Sequence, residues 1–223
     1  MFSHSELLDL YRRRAKRYDF TANLYYLVGF REWKYRKTAV AALRLRPGDT
    51  VVEIGCGTGL NFRLLEEKVG ANGKIVGVDM TDAMLAEGRT RIEREGWNNI
   101  ELVQCDAGRY KFPQNINGII STFALTLVPE FDEVIRRSAD ALSPEGRWVV
   151  ADLKMPNSAF KYLYPALLPI FRPFGVTLDL SDRHPWESIA KYLDEATVQE
   201  YFLGFTYIAV GEARAVETCE PRD

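Results

Sequence analysis

A glycine-rich turn that directly follows an apolar run is the clearest candidate in this chain for binding chemistry. The apolar run 51–54 leads into the sequence GCGTG at residues 55–59. Glycine allows positive φ angles and a close approach to the backbone, so a ligand can lie against main-chain amides where a helix begins. We therefore expect residues 55–59 to form a ligand-binding loop.

Two acidic side chains flank this loop. Glu53 stands two residues before the first glycine, and Asp79 ends the next apolar run, 20 residues after Gly59. An acidic side chain at the second position can accept hydrogen bonds from ribose hydroxyls. The third glycine of the dinucleotide-binding fingerprint would fall at position 60, which is Leu60. This departure disfavours a nicotinamide or flavin oxidoreductase.

The order of strand-like and helix-like stretches indicates which elements position the loop and the acids. From residue 47 onward the two kinds alternate, the pattern of a mostly parallel sheet covered by helices. Strands are predicted over residues 50–54, 74–78, 100–104, 116–121 and 147–152, and helices over 60–69, 81–96 and 131–142. Residues 197–203 and 205–213 predict a final pair of strands joined tightly at Gly204.

The composition excludes several classes of protein. The chain has 223 residues, of which 47% are hydrophobic and 27% charged, and it contains three cysteines. One globular domain is therefore expected. Three widely spaced cysteines favour neither a disulfide framework nor a zinc cluster, so we expect no metal and a reducing, cytoplasmic location. No apolar run approaches the roughly 20 residues that span a bilayer.

The formal net charge of −2 conceals an uneven distribution. Residues 1–46 contain 11 Lys and Arg against 4 Asp and Glu, a balance of +7, and the remainder carries −9. Overall charge therefore does not favour a nucleic-acid partner. The basic residues of the first helix alternate with apolar ones at helical spacing and are Arg12, Arg13, Arg14, Lys16 and Arg17. Such a helix either packs on the domain with a solvated basic face or contacts an anionic membrane surface.

Four motifs together resemble the class I S-adenosylmethionine-dependent methyltransferases over almost the whole of residues 47–213. They are the E-x-G-x-G-x-G run at 53–59, GVDMTDAMLA at 77–86, CDA at 105–107 and LSPEGRWVVADL at 142–153. The core is also similar to the ubiquinone and menaquinone methyltransferases. The resemblance implies an α/β, Rossmann-like fold. Its sheet would have seven mostly parallel strands with an antiparallel last hairpin, helices on both faces and an N-terminal helical lid.

The resemblance implies S-adenosylmethionine as the cofactor and S-adenosylhomocysteine as the product. The residues implied to line or support the methionine part are Glu53, Gly55, Cys56, Gly57, Thr58 and Gly59. At the nucleoside end, Asp79 would bind the ribose diol and Met80 would cover the adenine. Asp106 would meet the adenine amino group, with Ala107 donating from its backbone. The residues implied to lie nearest the sulfonium are Ser121, Thr122 and Phe123.

Methyl transfer from a sulfonium is a direct displacement, so alignment and exclusion of water matter more than side-chain chemistry. Tyr18, in a Tyr-Asp pair of the N-terminal helix, would close over the cofactor and touch its carboxylate or the acceptor. His184 is the second catalytic candidate, as a proton acceptor or substrate contact, against a plain role at the start of a helix. The spacing of the sequence favours neither a Ser/His/Asp triad nor a metal centre.

The resemblance also divides residues 1–223 by role within a single methyltransferase domain. Residues 1–46 would form the helical lid, 47–153 the cofactor-binding core, 154–186 a cap over the acceptor, and 187–213 the final helix and hairpin. The cap is rich in proline and aromatic residues, which favours an irregular apolar wall of an acceptor pocket. A structural flap over the sheet edge is the alternative.

Two acceptor chemistries fit these features. The leader is similar to those of lipid-headgroup N-methyltransferases, and aromatic walls suit ammonium products, which favours N-methylation of an amine or phospholipid headgroup. The similarity of the core favours C- or O-methylation of a quinone-like or phenolic acceptor, and thiol methylation stays open. A protein that binds S-adenosylmethionine without catalysis is the alternative from another class. The oligomeric state is left open.

Overall fold

The computed structural model describes residues 4–17, 29–156 and 182–214. Its α-helices are α1 (His4–Arg14), α2 (Glu32–Ala42), α3 (Phe62–Val69), α4 (Asp82–Glu95), α5 (Phe131–Ala139) and α6 (Pro185–Tyr192). Its strands are β1 (Thr50–Ile54), β2 (Lys74–Asp79), β3 (Ile100–Gln104), β4 (Ile116–Thr122), β5 (Leu142–Leu153), β6 (Asp194–Tyr201) and β7 (Thr206–Glu212).

All seven strands form one sheet in the order β3-β2-β1-β4-β5-β7-β6. The first five pair in parallel, and β7 runs antiparallel between β5 and β6. The predicted Rossmann-like sheet with a reversed last hairpin is therefore confirmed. The carboxyl ends of the five parallel strands meet at one edge, which is where open α/β sheets bind their ligands.

Alternation along the central strands divides the apolar side chains between two cores, because successive strand residues point to opposite faces. Val52 and Ile54 of β1 pack in one core, which α5 and α6 cover with Val134, Ile135 and Ile189. The second core contains Val51, Ile75, Ile120 and Val149, and it is covered by Ala39, Val40, Phe62, Leu65 and Leu85 of α2, α3 and α4. Helices thus cover both faces of the sheet, as predicted.

The boundaries around β5 differ from the prediction. The helix predicted over 131–142 ends at Ala139, and the strand predicted to begin at residue 147 begins at Leu142. Leu142 pairs with Ile116, and the register then shifts so that Arg147 pairs with Gly118. The turn signal Ser-Pro-Glu-Gly therefore forms a bulge inside the strand, with Glu145 at φ +63°. A turn signal in the sequence does not reveal that the strand pairs with β4 again after the bulge.

The last hairpin also differs slightly in its limits. β6 ends at Tyr201 and β7 begins at Thr206, with a short 3₁₀ turn at Phe202–Gly204 between them. The predicted tight connection at Gly204 is confirmed, since that residue has φ +88°. Phe202 and Leu203 also adopt positive φ, at 48° and 59°, which is costly for residues with a side chain.

The predicted N-terminal helix is present as α1, followed by a 3₁₀ turn at Ala15–Arg17. α1 contacts α4, and the Arg12 guanidinium donates hydrogen bonds of 2.8 and 3.3 Å to the two carboxylate oxygens of Asp82. Part of the basic face therefore holds the helix on the domain. None of the helices in the described ranges has the length and apolarity needed to cross a bilayer.

Candidate functional site

The loop after β1 has the backbone that the glycine spacing predicts. Gly55, Gly57 and Gly59 have φ of 69°, 54° and 76°. A Cβ on Gly55 would lie 2.3 Å from the Cβ of Ala124, so glycine is required there by both conformation and space. A Cβ on Gly57 would meet no atom within 4 Å. The loop thus presents its backbone to open space at Gly57, where a ligand can approach it.

Asp79 joins this loop to the end of β2. Its carboxylate accepts hydrogen bonds from the amides of Gly57 (2.9 Å) and Thr81 (2.8 Å). Its carbonyl oxygen accepts one from the amide of Cys105 (3.0 Å), so the end of β3 is held as well. The side chain is partly exposed, and burial raises the pKa of the carboxyl above its usual value. Met80, the next residue, is also partly exposed.

The turn after β3 is built around Asp106 and Arg137. The Asp106 carboxylate accepts a hydrogen bond from the amide of Gly108 (2.8 Å). The guanidinium of Arg137, from α5, donates to the carbonyl oxygens of Gly108 (2.7 Å), Tyr110 (3.0 Å) and Ala107 (3.4 Å). Sequence reasoning located Asp106 and Ala107 but missed Arg137, because this residue is part of an ordinary amphipathic helix. It fixes the turn that carries Asp106 and Ala107, two of the three predicted adenine contacts.

The end of β4 brings Ser121, Thr122 and Phe123 to the same edge of the sheet as the glycine loop. Ser121 and Thr122 are buried, and the Ser121 hydroxyl makes no hydrogen bond within the described ranges. Phe123 has φ +56°, and its amide donates to the carbonyl oxygen of Ala151 (2.8 Å). A strained residue of this kind is typical of functional sites.

A buried polar network connects α2 to the glycine loop and to β4. Arg36 donates two hydrogen bonds to Oε1 of Glu32 (2.8 and 2.6 Å) and one to the hydroxyl of Thr122 (2.5 Å). The Asn61 amide group donates to the same hydroxyl (2.9 Å) and to Oε1 of Glu53 (2.7 Å). Sequence reasoning found Glu53 and Thr122. It missed the other three, since nothing local in the chain marks a contact between α2 and β4.

Glu53 is the most perturbed acid of this network. Burial raises the pKa of its carboxyl to about 8, although the neighbouring Arg36 charge and the Asn61 hydrogen bond act in the opposite direction. Its second oxygen, Oε2, is buried and has no hydrogen-bond partner in the described part of the chain. A buried polar atom without a partner is costly, so this oxygen is suited to form a hydrogen bond with a ligand.

Two of the predicted cofactor residues, Cys56 and Thr58, are buried. The Cys56 thiol packs in the second core, and a Cβ on Gly77 would lie 2.9 Å from its sulfur. Burial raises the pKa of this thiol well above its usual value, so it is not a reactive thiolate. Only the backbone of these two residues is suited to line a ligand.

Of the two catalytic candidates, the structure describes His184 but not Tyr18. Tyr18 lies outside the described residues, as do residues 157–181 of the predicted cap. His184 occupies the position before α6 without a side-chain capping hydrogen bond. Its ring packs 4.6 Å from that of Trp186 at a tilt of 31°, and its Nδ1 lies 3.0 Å from Oε1 of Glu187. Its side chain is 40% exposed. The preceding Arg183 donates to the carbonyl oxygen of Thr126 (2.7 Å), which holds this segment beside the turn after β4.

Carboxyl and aromatic groups meet where β5 ends and β7 begins. Asp152 is buried, and its carboxylate accepts hydrogen bonds from the amides of Thr126 (2.9 Å) and Leu153 (2.8 Å). Burial raises the pKa of the Asp152 carboxyl. The rings of Trp186 and Tyr207 pack 4.8 Å apart in this region, and the Tyr207 hydroxyl is buried without a partner in the described ranges.

Aromatic rings also surround Phe123. Phe30 lies at the centre of this aromatic cluster, with ring centroids 5.6 Å from Phe123, 5.4 Å from Phe202 and 5.3 Å from Tyr35. The Arg36 guanidinium lies 5.3 Å from the centre of the Phe123 ring. Segments that precede α2, follow β4 and precede β7 therefore share one apolar wall. We found no group of three or more potential metal ligands in the described ranges.

Comparison with known proteins finds methyltransferases among the sequences and structures that are similar to this chain. A family model described as "Methyltransferase domain" matches residues 45–167. A ubiquinone/menaquinone biosynthesis C-methyltransferase from Pseudomonas putida is 30% identical over 201 residues, which are 87% of this chain and 78% of the relative. A demethylmenaquinone methyltransferase from Listeria monocytogenes is 27% identical over 183 residues, 78% of this chain and 77% of the relative. A solved S-adenosylmethionine-dependent methyltransferase from Aquifex aeolicus covers 80% of this chain and 89% of its own, with a TM-score of 0.56 and 15% identity.

The elevated pKa of Glu53 predicts how stability depends on pH. In the unfolded chain this carboxyl loses its proton near pH 4.5, whereas the folded protein retains it up to about pH 8. The wild type should therefore lose stability relative to Glu53→Gln as the pH rises between these values, by up to about 1.4 kcal/mol per pH unit. Above pH 8 the difference should become constant. Chemical denaturation of both proteins at pH 5–9 measures it. Glu67→Gln, at an exposed site on α3, is the control, and a difference that does not vary with pH would contradict the assignment.

Proposed function

Since this chain belongs to the S-adenosylmethionine-dependent methyltransferase family, we propose that it methylates the amine of a lipid-like acceptor at the carboxyl edge of its sheet. S-adenosylmethionine is its cofactor and S-adenosylhomocysteine its product. Membership of the family rests on the matched domain and on the relative that is 30% identical. The acceptor, the individual site residues and the contact with a membrane are proposals, and the following observations support them.

The residues at the edge of the sheet fit S-adenosylmethionine. The open backbone at Gly57 and the unpartnered oxygens of Glu53 and Ser121 suit the polar methionine end. Asp79 is held by two backbone amides and is placed for the ribose. Asp106 lies on the turn fixed by Arg137 and is assigned, with Ala107 and Met80, to the adenine. When bound, this cofactor supplies an electrophilic methyl group on a sulfonium.

The residues of the chain are suited to orienting the reactants and excluding water, which are the main requirements of a direct displacement. Ser121 and Thr122 place polar groups at the end of β4 in a buried position. Phe30 and Phe123 provide an apolar wall beside them. Tyr18 and His184 remain the candidates for contacting the acceptor, with the ring of His184 stacked on Trp186.

A buried acidic side chain near the end of β5, that of Asp152, favours an amine acceptor. Asp152 pairs with Tyr207 between β5 and β7, and the Tyr207 ring packs against Trp186. A buried carboxylate near aromatic rings combines the two groups that recognise alkylammonium ions, negative charge and aromatic faces. The amides of Thr126 and Leu153 donate to the two Asp152 oxygens and hold the carboxylate in place near these rings. Burial raises the pKa of this carboxyl, so a cation bound beside it would favour its charged form.

A quinol or phenol is the second candidate acceptor. The relative from Pseudomonas putida is named a C-methyltransferase of ubiquinone and menaquinone biosynthesis. The aromatic cluster around Phe30 offers an apolar wall of the kind that a ring acceptor requires. This alternative needs no cationic recognition, so it assigns no role to the charge of Asp152.

An acceptor screen with a cofactor labelled in its methyl group distinguishes the two. We expect labelled product from an aminolipid such as phosphatidylethanolamine, identified by mass spectrometry. Asp152→Asn should lower amine turnover at least tenfold, because a charged hydrogen bond contributes about 1.5–3 kcal/mol. Asp140→Asn, at an exposed position after α5, is the matched control.

Turnover of quinols alone, unaffected by Asp152→Asn, would make the second candidate correct. Binding of cofactor without methylation of any lipid amine, quinol, phenol or thiol would instead favour a protein that binds S-adenosylmethionine without catalysis.

Asp79→Ala tests the assignment of the ribose contact. The substitution removes a carboxylate that holds Gly57 and Thr81, and in the proposal it also removes the acceptor for the ribose hydroxyls. Affinity for S-adenosylhomocysteine should fall by about 10- to 100-fold, from the loss of charged hydrogen bonds. Isothermal titration calorimetry measures this effect, with Asp140→Ala as the control. Unchanged affinity would show that the ribose assignment is wrong.

The basic helix α1 supports a contact with anionic lipid. Arg12 is paired with Asp82, whereas Arg13 and Lys16 are exposed and are placed to meet a charged surface. Each basic residue near an anionic bilayer contributes about 1 kcal/mol, and salt screens this attraction. The contact would place the carboxyl edge of the sheet near a lipid acceptor.

Vesicle sedimentation at low ionic strength tests this contact. The double substitution Arg13→Gln and Lys16→Gln should weaken binding to vesicles containing phosphatidylglycerol by about 30-fold, since two charges that contribute about 1 kcal/mol each are removed. Arg63→Gln and Lys68→Gln, a pair of exposed basic residues on α3, form the matched control. Equal binding of both variants, or binding to neutral vesicles alone, would contradict the electrostatic contact.

A further inference from the structure

Arg36 of α2 joins three segments of the chain that are far apart in sequence. Its side chain is 5% exposed, and its Nε and Nη2 donate to Oε1 of Glu32 within the same helix. On the other side, its Nη1 donates to the hydroxyl of Thr122 (2.5 Å) and to Oδ1 of Asn61 (3.3 Å). One guanidinium therefore links α2 with the residue before α3 and with the end of β4.

The hydrogen bonds at Thr122 determine what its hydroxyl can do. The oxygen accepts one hydrogen bond from Arg36 and another from the Asn61 amide group (2.9 Å). A hydroxyl has two acceptor sites and one proton, so this arrangement leaves Thr122 as a donor toward a third group. The same Asn61 group donates to Glu53, whose second oxygen has no partner among the residues that the structure describes.

Arg36 also contacts the strained residue that follows Thr122. Its guanidinium carbon lies 5.3 Å from the centre of the Phe123 ring, and Phe123 has φ +56°. A strained backbone of this kind persists only where several neighbours hold it. Here the neighbours are the Phe30 ring and the carbonyl oxygen of Ala151 in addition to Arg36.

We propose that Arg36 is a positioning residue for the amino-acid end of the cofactor, acting through Thr122 and Asn61 without touching the reacting atoms. It fixes Thr122 as a donor and holds Asn61 beside Glu53, so that donor and acceptor groups are set before the ligand arrives. A guanidinium can serve both sides at once because its donors form a planar fork. The compact ammonium of a lysine cannot serve both sides in this way. The proposal rests on the cofactor assignment under Proposed function.

The test compares S-adenosylhomocysteine with methylthioadenosine, which lacks the amino-acid part. Thr122→Val and Arg36→Lys, each made in the full chain, should weaken S-adenosylhomocysteine about tenfold, while the affinity for methylthioadenosine changes less than about twofold. Thr122→Ser should restore at least half of the lost affinity on a logarithmic scale. The double variant Arg36→Lys and Thr122→Val should lose no more than the larger single loss, since both act through one hydroxyl. Thr90→Val and Arg63→Lys, both exposed, are the matched controls.

Three results would overturn the proposal. They are equal loss of affinity for both ligands, Thr122→Ser no better than Thr122→Val, and additive losses in the double variant. Thermal unfolding of each variant shows whether it is folded, and the Thr122 pair keeps the test valid if Arg36→Lys does not fold. Both ligands are cofactor fragments, so the result does not depend on the acceptor. Failure of the wild type to bind either ligand would contradict the cofactor assignment itself.

Discussion

The buried ion pair of Arg36 and Glu32 is the interaction on which the arrangement of this site depends. Both side chains are nearly excluded from water, and their carboxylate and guanidinium groups lie 2.6 Å apart. Removal of one partner from such a pair costs about 3–5 kcal/mol, because the other charge is left buried. The pair lies within α2, so it holds the guanidinium on that helix, and the hydrogen bonds from Arg36 to Thr122 and Asn61 join α2 to the rest of the site. The guanidinium can then hold Thr122 and Asn61 in one geometry without further constraint.

The two ends of the proposed cofactor site are organised by different means. Backbone hydrogen bonds organise the nucleoside end, where Asp79 accepts from Gly57 and Thr81, and Arg137 donates to three carbonyl oxygens. Side chains organise the methionine end, where the network from Glu32 to Glu53 excludes water. The second arrangement leaves Glu53 with a raised pKa. A polar group buried at this cost is typical of a position that awaits a ligand.

Local motifs made much of this site predictable from the sequence. A glycine loop after a strand and an acid at the next strand end depend on backbone geometry within a few residues. The positions of Gly57, Asp79 and Asp106 therefore follow from short patterns. The sheet follows from the alternation of strand-like and helix-like stretches along the chain. The orientation of Cys56 was not predictable, because it depends on the space left by Gly77 on the neighbouring strand. The start of β5 depends on pairing with Ile116, another contact that no local signal records.

Contacts across long sequence separations were not predictable. Arg36 and Glu32 belong to residues 1–46, whose net charge is +7, yet both are buried. Arg36 contacts Thr122, 86 residues away, and Asn61, 25 residues away. A single chain gives no sign of such pairs, since charged residues are usually exposed. Arg137 was missed for the same reason. Its targets are backbone carbonyls, which have no signature in the sequence.

In the proposed site, the buried Glu53 carboxyl lies at the cationic end of S-adenosylmethionine. Calorimetric titration at pH 7.5, in buffers of different ionisation enthalpy, measures the protons exchanged on binding. The positive charge of the ligand should lower the pKa of Glu53 from about 8, so the wild type should release more protons than Glu53→Gln. The excess should decline above pH 8. Identical proton exchange in the two proteins would contradict this position of Glu53.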